Sequence, residues 1–120
     1  MAGRLTTHVL DTSQGCPAAN MDIELWLLNA EGSGRTLLKT VRTNGDGRTD
    51  APLLIDDELT AGVYELVFAV GKYFAAQGIA ITSPPFLDRV PVRFGIADAT
   101  SHYHVPLLTS PWAYSTYRGS

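Results

Sequence analysis

Two histidines separated by one residue, His102 and His104, stand near the end of this 120-residue chain, and the third and last, His8, stands near its beginning. Imidazole has an ordinary pKa close to neutrality, so a positioned histidine can take a proton from water and hand it on to a leaving group. On an extended strand, residues two apart share a face. His102, His104, Pro106 and Leu108 then project one way, and Ser101, Tyr103, Val105 and Leu107 project the other. The second set is a good core face. The first is neither an apolar stripe nor the charged face of an exposed sheet, and it is expected to line a buried interface or cleft. The chain closes on Tyr117-Arg118-Gly119-Ser120 after a run rich in aromatic and hydroxyl side chains. Such an end is expected to form an ordered terminal strand rather than to fray.

The elements that must position these residues read as strands. Thr6 to Leu10 and Met21 to Leu28 are β-rich runs separated by Gln14-Gly-Cys-Pro17, and the alternation in Ile23-Glu-Leu-Trp-Leu27 is that of a half-buried strand. Leu37 to Thr43 continues into Thr43-Asn-Gly-Asp-Gly-Arg48, strong turn chemistry that delivers Arg48 from a tight loop. Asp56 to Gly62 predicts a short helical turn or polar bend, Val63 to Val70 a strand, and Lys72 to Gln77 a second helical turn ended by Gly78. Ser83-Pro-Pro85 cannot sit inside a central strand. Arg89 to Ile96, His102 to Leu108 and Ala113 to Arg118 complete the series, with Ser110-Pro-Trp112 as the last turn. Many short strands, few helices and no internal repeat predict an antiparallel β-sandwich.

Composition bounds the function. A chain of this length buries roughly two thirds of its unfolded surface, enough for one core without metal or disulfide, so residues 1–120 are expected to form a single domain. Nine basic against twelve acidic residues, scattered, give a net charge of −3 and no nucleic-acid footprint. Val63 to Val70, interrupted by Glu65, is far too short to span a bilayer. The first residues lack the apolar run of a secretion signal, and Cys16 is the single cysteine, which together make the cytoplasm the expected compartment. Cys16 itself is expected to be a small buried or loop thiol.

The closing segment His102 to Ser120 resembles the C-terminal signature of the 5-hydroxyisourate hydrolases, the enzymatic branch of the transthyretin-like proteins. In that resemblance Tyr-Arg-Gly-Ser separates the hydrolases from the hormone carriers. Leu5-Thr-Thr-His-Val-Leu-Asp-Thr-Ser-Gln-Gly-Cys-Pro-Ala-Ala19 is similar to the family's first strand and turn. Leu59-Thr-Ala-Gly-Val-Tyr-Glu-Leu66 and Gly71-Lys-Tyr-Phe74 follow in family order. The resemblance implies an all-β, transthyretin-like sandwich of about eight strands with one short helix, assembled as a homotetramer, a dimer of dimers with active sites in the channel between them. It implies hydrolysis of 5-hydroxyisourate to 2-oxo-4-hydroxy-4-carboxy-5-ureidoimidazoline, without cofactor or metal.

Carried over by position, the family's functional residues fall on His8, Arg48, His104 and Tyr117, with Ser120 as a supporting candidate. A histidine would activate water, and the sequence leaves open which of His8 and His104 does so. Arg48 would offer a permanent charge and a planar fork of donors to carbonyl and enolate oxygens; on residue type alone it reads as a surface salt bridge. Tyr117 would donate to substrate or position water, or else pack as a channel aromatic. Arg118 alternates to the opposite face and is expected to anchor the terminus, and His102 could tune the site. Two other readings stay open: a transthyretin-type carrier, whose channel would lack the His/Arg/Tyr set, and a zinc site, for which no cysteine pair or nearby carboxylate completes a ligand pattern.

Overall fold

The computed structural model describes residues 3–31 and 33–119. Its strands are β1 (Arg4–Thr6), β2 (Val9–Asp11), β3 (Cys16–Pro17), β4 (Asp22–Leu28), β5 (Arg35–Arg42), β6 (Leu54–Ile55), β7 (Gly62–Phe68), β8 (Val90–Ile96), β9 (His102–His104), β10 (Leu107–Thr109) and β11 (Tyr114–Thr116). One α-helix, α1 (Val70–Ala76), follows β7, and a single 3-10 turn spans Asp56–Glu58. β5, β4, β7 and β8 form one wholly antiparallel sheet in that order. The facing layer consists of two short sheets, β6-β1-β9 and β11-β10-β2-β3.

Those two short sheets are one ladder with a break. β1 pairs with β9 and β2 with β10, both parallel, in the same register: Thr6 stands opposite His104 and Val9 opposite Leu107. Across the break Val105 N donates to Thr6 O and Leu107 N to His8 O, each at 2.9 Å. Thr6 to Leu10 is therefore not one strand but two, hinged at Thr7 and His8, and His102 to Leu108 is broken opposite it at Val105 and Pro106. The parallel pairs are long-range features that local alternation does not encode, so the sandwich is antiparallel except along this ladder. The other edge of β1 is occupied by the chain beyond the Asn44–Arg48 turn, which pairs through β6 and donates from Leu53 N to Leu5 O at 2.8 Å. The other edge of β2 pairs with β3, and at its start Val9 N donates to Gly47 O of the turn at 2.8 Å.

Face assignment follows from burial. Leu5, Val9 and Leu107 are fully buried and Tyr103 and Val105 nearly so, alongside Ile23, Leu25, Tyr64, Leu66 and Phe68 of the opposite sheet. Burying each such side chain is worth roughly 1.5–3 kcal/mol. A one-residue slip would turn all of them outward, so the even-numbered residues of β1 and β9 are held on the other face. Pro106 departs from the expected alternation and is buried. α1 starts at Val70, two residues before the expected Lys72, and buries Tyr73 and Phe74. Tyr73 donates to Asp11 Oδ2 at 2.9 Å. Burial alone would raise the Asp11 carboxyl, but bonds from Ser13, Gln14 and Tyr73 outweigh it and hold it below the usual value. Cys16 is neither buried nor in a loop: it is exposed on β3. No described helix is long and apolar enough to cross a membrane.

Candidate active site

His8 sits at the break in the ladder, and its antiparallel bridge partner is Arg48. The turn before Arg48 is built for this approach. Gly47 has φ +75°, and a Cβ there would meet Val9 O at 2.4 Å, so only glycine lets the loop lie against β2. Asn44 Oδ1 accepts from Asp46 N at 2.9 Å and from Arg48 N at 3.2 Å, closing the turn. His8 Nε2 lies 2.9 Å from Asp46 O. A carbonyl oxygen only accepts, so His8 donates from Nε2 and keeps its lone pair, when neutral, on Nδ1.

His104 arrives on the other side, two ladder positions from His8, with its Nδ1 2.8 Å from Thr6 Oγ1. Its backbone is clamped by the terminal segment, where Gly119 N donates to His104 O at 2.7 Å. The clamp is close: a Cβ on Gly119 would meet His104 Cδ2 at 2.5 Å. His104 Nε2 takes no partner among the described residues and is not enclosed, which leaves it the ring nitrogen available to a ligand.

That cleft, about 400 Å³, is lined by Arg4, Thr6, Arg48, Asp50, His102 and His104 among others. His8 does not line it but bears on it electrostatically. Burial and the Arg48 charge lower the His8 pKa from 6.5, more than the Asp46 hydrogen bond raises it. Burial, then Arg48, His8 and His102, lower that of His104 from 6.5. Both shifts favour the neutral ring at pH 7, the form in which an imidazole can act as a base. The Arg48 guanidinium takes no ion-pair or hydrogen-bond partner among the described residues, contrary to the surface salt bridge its residue type alone predicts.

The structure thus brings together His8, Arg48 and His104 within one chain. Tyr117 is not with them. It is 60% exposed and lines a neighbouring cleft beside Phe94, Tyr103 and Arg118. Arg118 anchors as expected, its guanidinium 4.2 Å above the Tyr103 ring and Nη2 donating to His102 O at 3.4 Å. Ser120 lies outside the described residues. No three His, Cys, Asp or Glu among the described residues are grouped to hold a metal ion. Sequence reading passed over Thr6, Arg4, Asp50 and Gly119. The signal for Thr6 was available: it is two residues before His8 and so shares its face.

The family model described as HIUase/Transthyretin family matches residues 5–119. A protein of Mesorhizobium japonicum named 5-hydroxyisourate hydrolase is 63% identical over 118 residues, 98% of this chain and 93% of its own. Among solved structures, one titled (S)-allantoin synthase superposes with TM-score 0.93 at 50% identity, covering 99% of this chain and 44% of that one. Sea bream transthyretin in complex with thyroxine superposes with TM-score 0.85 at 29% identity, covering 97% and 94%. The match takes in His8, Arg48 and His104 together with all but the first residue of the parallel ladder, and this chain belongs to the HIUase/Transthyretin family.

Proposed function

We propose that this protein hydrolyses 5-hydroxyisourate to 2-oxo-4-hydroxy-4-carboxy-5-ureidoimidazoline, with His104 as the base, His8 orienting water or substrate, and Arg48 binding the developing oxyanion. The observation that carries this reading is the convergence of two imidazoles, both shifted toward the neutral form, on a guanidinium without an ion-pair or hydrogen-bond partner among the described residues. A water proton passes to His104 Nε2 as the water oxygen bonds the ring carbonyl carbon. Arg48 stabilises the charge on the carbonyl oxygen. Collapse breaks the ring C–N bond, and the proton returns to the departing nitrogen, opening the ring with net addition of one water. His8 is the less suitable base because its Nε2 proton holds the Asp46 carbonyl. The relative named 5-hydroxyisourate hydrolase supports the substrate. A carrier for an apolar ligand is the other reading that the transthyretin likeness raises. The charged lining of the cleft, with Arg4, Arg48, Asp50 and two histidines, speaks against it.

A homotetramer with sites where dimers meet is part of the same proposal. It is supported by Tyr114 and Tyr117, large side chains left 45% and 60% exposed on the terminal segment, and by the unpaired outer edges of β8 and β11. In that assembly Tyr117 and Ser120 contact substrate. A cytoplasmic location fits the free Cys16 thiol. The test is ultraviolet decay of freshly made 5-hydroxyisourate, which also decays unaided. Marked acceleration is expected, and no acceleration by well-folded protein overturns the hydrolase reading. Sedimentation as an active monomer overturns the assembly.

A further inference from the structure

One hydroxyl stands between the two histidines of β9. Thr6 Oγ1 lies 2.8 Å from His104 Nδ1 and 3.2 Å from His102 Nε2, and it takes no other side-chain partner among the described residues. A threonine hydroxyl has one proton to give and lone pairs to accept with. It can therefore donate to only one of the two rings. Whichever way it turns, the choice sets where the proton of neutral His104 resides, because a neutral imidazole carries one N–H.

The charge on the open side of the ring decides the direction. Arg4, Arg48 and His104 line one cleft, and with Nδ1 on Thr6 the unpartnered nitrogen of the His104 ring is Nε2. Asp50, the one carboxylate among the described residues that line it, already accepts from Asn44 Nδ2 at 3.0 Å. A cleft with this excess of positive charge favours a ring lone pair facing it over a ring N–H. The His104 proton then belongs on Nδ1, where Thr6 Oγ1 is placed to accept it, and the hydroxyl proton is free to go to His102 Nε2. We propose that Thr6 is a positioning residue that holds His104 as its Nδ1–H tautomer, with the hydroxyl donating onward to His102, so that Nε2 keeps its lone pair in the cleft.

The arrangement mirrors the one at His8 with opposite polarity. There a backbone carbonyl holds the proton on Nε2; here a side-chain hydroxyl holds it on Nδ1. The two rings are thereby fixed in different tautomers and given different tasks. The hydroxyl can do this because Thr6 and His104 are directly opposed in the parallel ladder, and the break that follows them at Thr7 leaves their own pairing intact. The catalytic meaning of the tautomer rests on the hydrolase reading above; the tautomer itself does not.

The test measures tautomer and turnover separately. Long-range proton–nitrogen correlation spectra of uniformly nitrogen-15-labelled protein, recorded above the histidine titrations and assigned with a His104→Gln variant, distinguish a protonated from an unprotonated ring nitrogen. In the wild type, Nδ1 of His104 should be the protonated nitrogen. In Thr6→Val, which keeps the β-branched shape, the ring should shift toward the Nε2–H form, and in Thr6→Ser the wild-type spectrum should return. Loss of one neutral hydrogen bond commonly shifts an equilibrium about tenfold. Accordingly, kcat for 5-hydroxyisourate should fall about tenfold in Thr6→Val, with KM nearly unchanged and recovery in Thr6→Ser. A wild-type His104 protonated on Nε2, or a His104 tautomer indifferent to Thr6→Val in folded protein, overturns the proposal. If the spectra behave as expected while the wild type fails to accelerate 5-hydroxyisourate decay, the hydrolase reading falls and the positioning role of Thr6 stands.

Discussion

The two layers of the sandwich treat charge in opposite ways. On the outer face of β5-β4-β7-β8 the charged groups are matched. Asp22 accepts from Arg42 Nε at 2.8 Å and Lys72 Nζ at 2.7 Å, and Glu24 accepts from Arg89 and from Trp26 Nε1. Glu65, only 7% exposed, takes Arg35 and Arg93, each at 3.2 Å. On the face of β1 and β9, Arg48 takes no carboxylate among the described residues and depresses the two imidazoles near it. Matched charges stabilise modestly and are chemically idle. A guanidinium that no carboxylate among the described residues neutralises, beside imidazoles shifted toward the neutral form, keeps its charge available for a developing oxyanion.

The sharpest break in that contrast is removal of the unmatched set. His104→Ala, His8→Ala and Arg48→Ala should each lower turnover by at least about a hundredfold with circular dichroism unchanged, since a positioned base or oxyanion donor commonly contributes that much. Near-normal turnover in any one of them removes that residue from the mechanism. Gly119→Ala tests the clamp on His104. The added methyl would overlap the imidazole, displacing it, and a loss of about ten- to a hundredfold in kcat is expected with little change in melting temperature. Unaltered kinetics would show that the terminal segment does not position the ring.

The electrostatic half of the comparison has a defined sign. Burial is the larger cause of both lowered values and Arg48 the second. A positive neighbour disfavours the imidazolium, so Arg48→Met should raise the pKa of both His8 and His104 in an NMR titration, and unmoved midpoints would leave burial alone as the cause. Because both folded-state values lie below 6.5, the stability these histidines contribute is complete above that pH and is lost as the pH falls through the folded values. The acid limb of kcat/KM should likewise lie below 6.5. The smallest catalytic effect belongs to the matched layer. Glu65→Gln should cost about 1–2 kcal/mol, roughly 4–8 °C in melting temperature, and leave turnover per folded molecule unchanged. A large fall in kcat there would mean that the two layers are coupled.

Much of the site was legible as residue type and parity. His102 and His104 share a face, Tyr103 and Val105 pack inward, and the Asn-Gly-Asp-Gly turn does deliver Arg48 from a tight loop. Arg118 anchors the end as expected, although it lines the same cleft as Tyr117 rather than the opposite face of a strand. What failed was continuity. Thr6–Leu10 and His102–Leu108 read as unbroken strands because their composition is uniformly β-prone, whereas the breaks at Thr7–His8 and Val105–Pro106 occur where two distant segments interrupt each other. Arg48 resisted reading for a related reason: whether an arginine finds a carboxylate depends on what folding places beside it.

The sequence by itself determined the strand-rich, single-helix character, the faces of individual strands, the turn chemistry and the resemblance that placed the chain in its family. These are local properties, fixed by side-chain period and by glycine, proline and asparagine at the bends. The tertiary structure alone decided that β1 and β2 run parallel to β9 and β10 in one register, that the loop carrying Arg48 lies on the other side of His8, and that Thr6 falls between two imidazoles from the far end of the chain. Those juxtapositions follow from burying Leu5, Val9, Tyr103 and Leu107 in one core. That burial sets the register, and the register brings the polar residues between them to a common face.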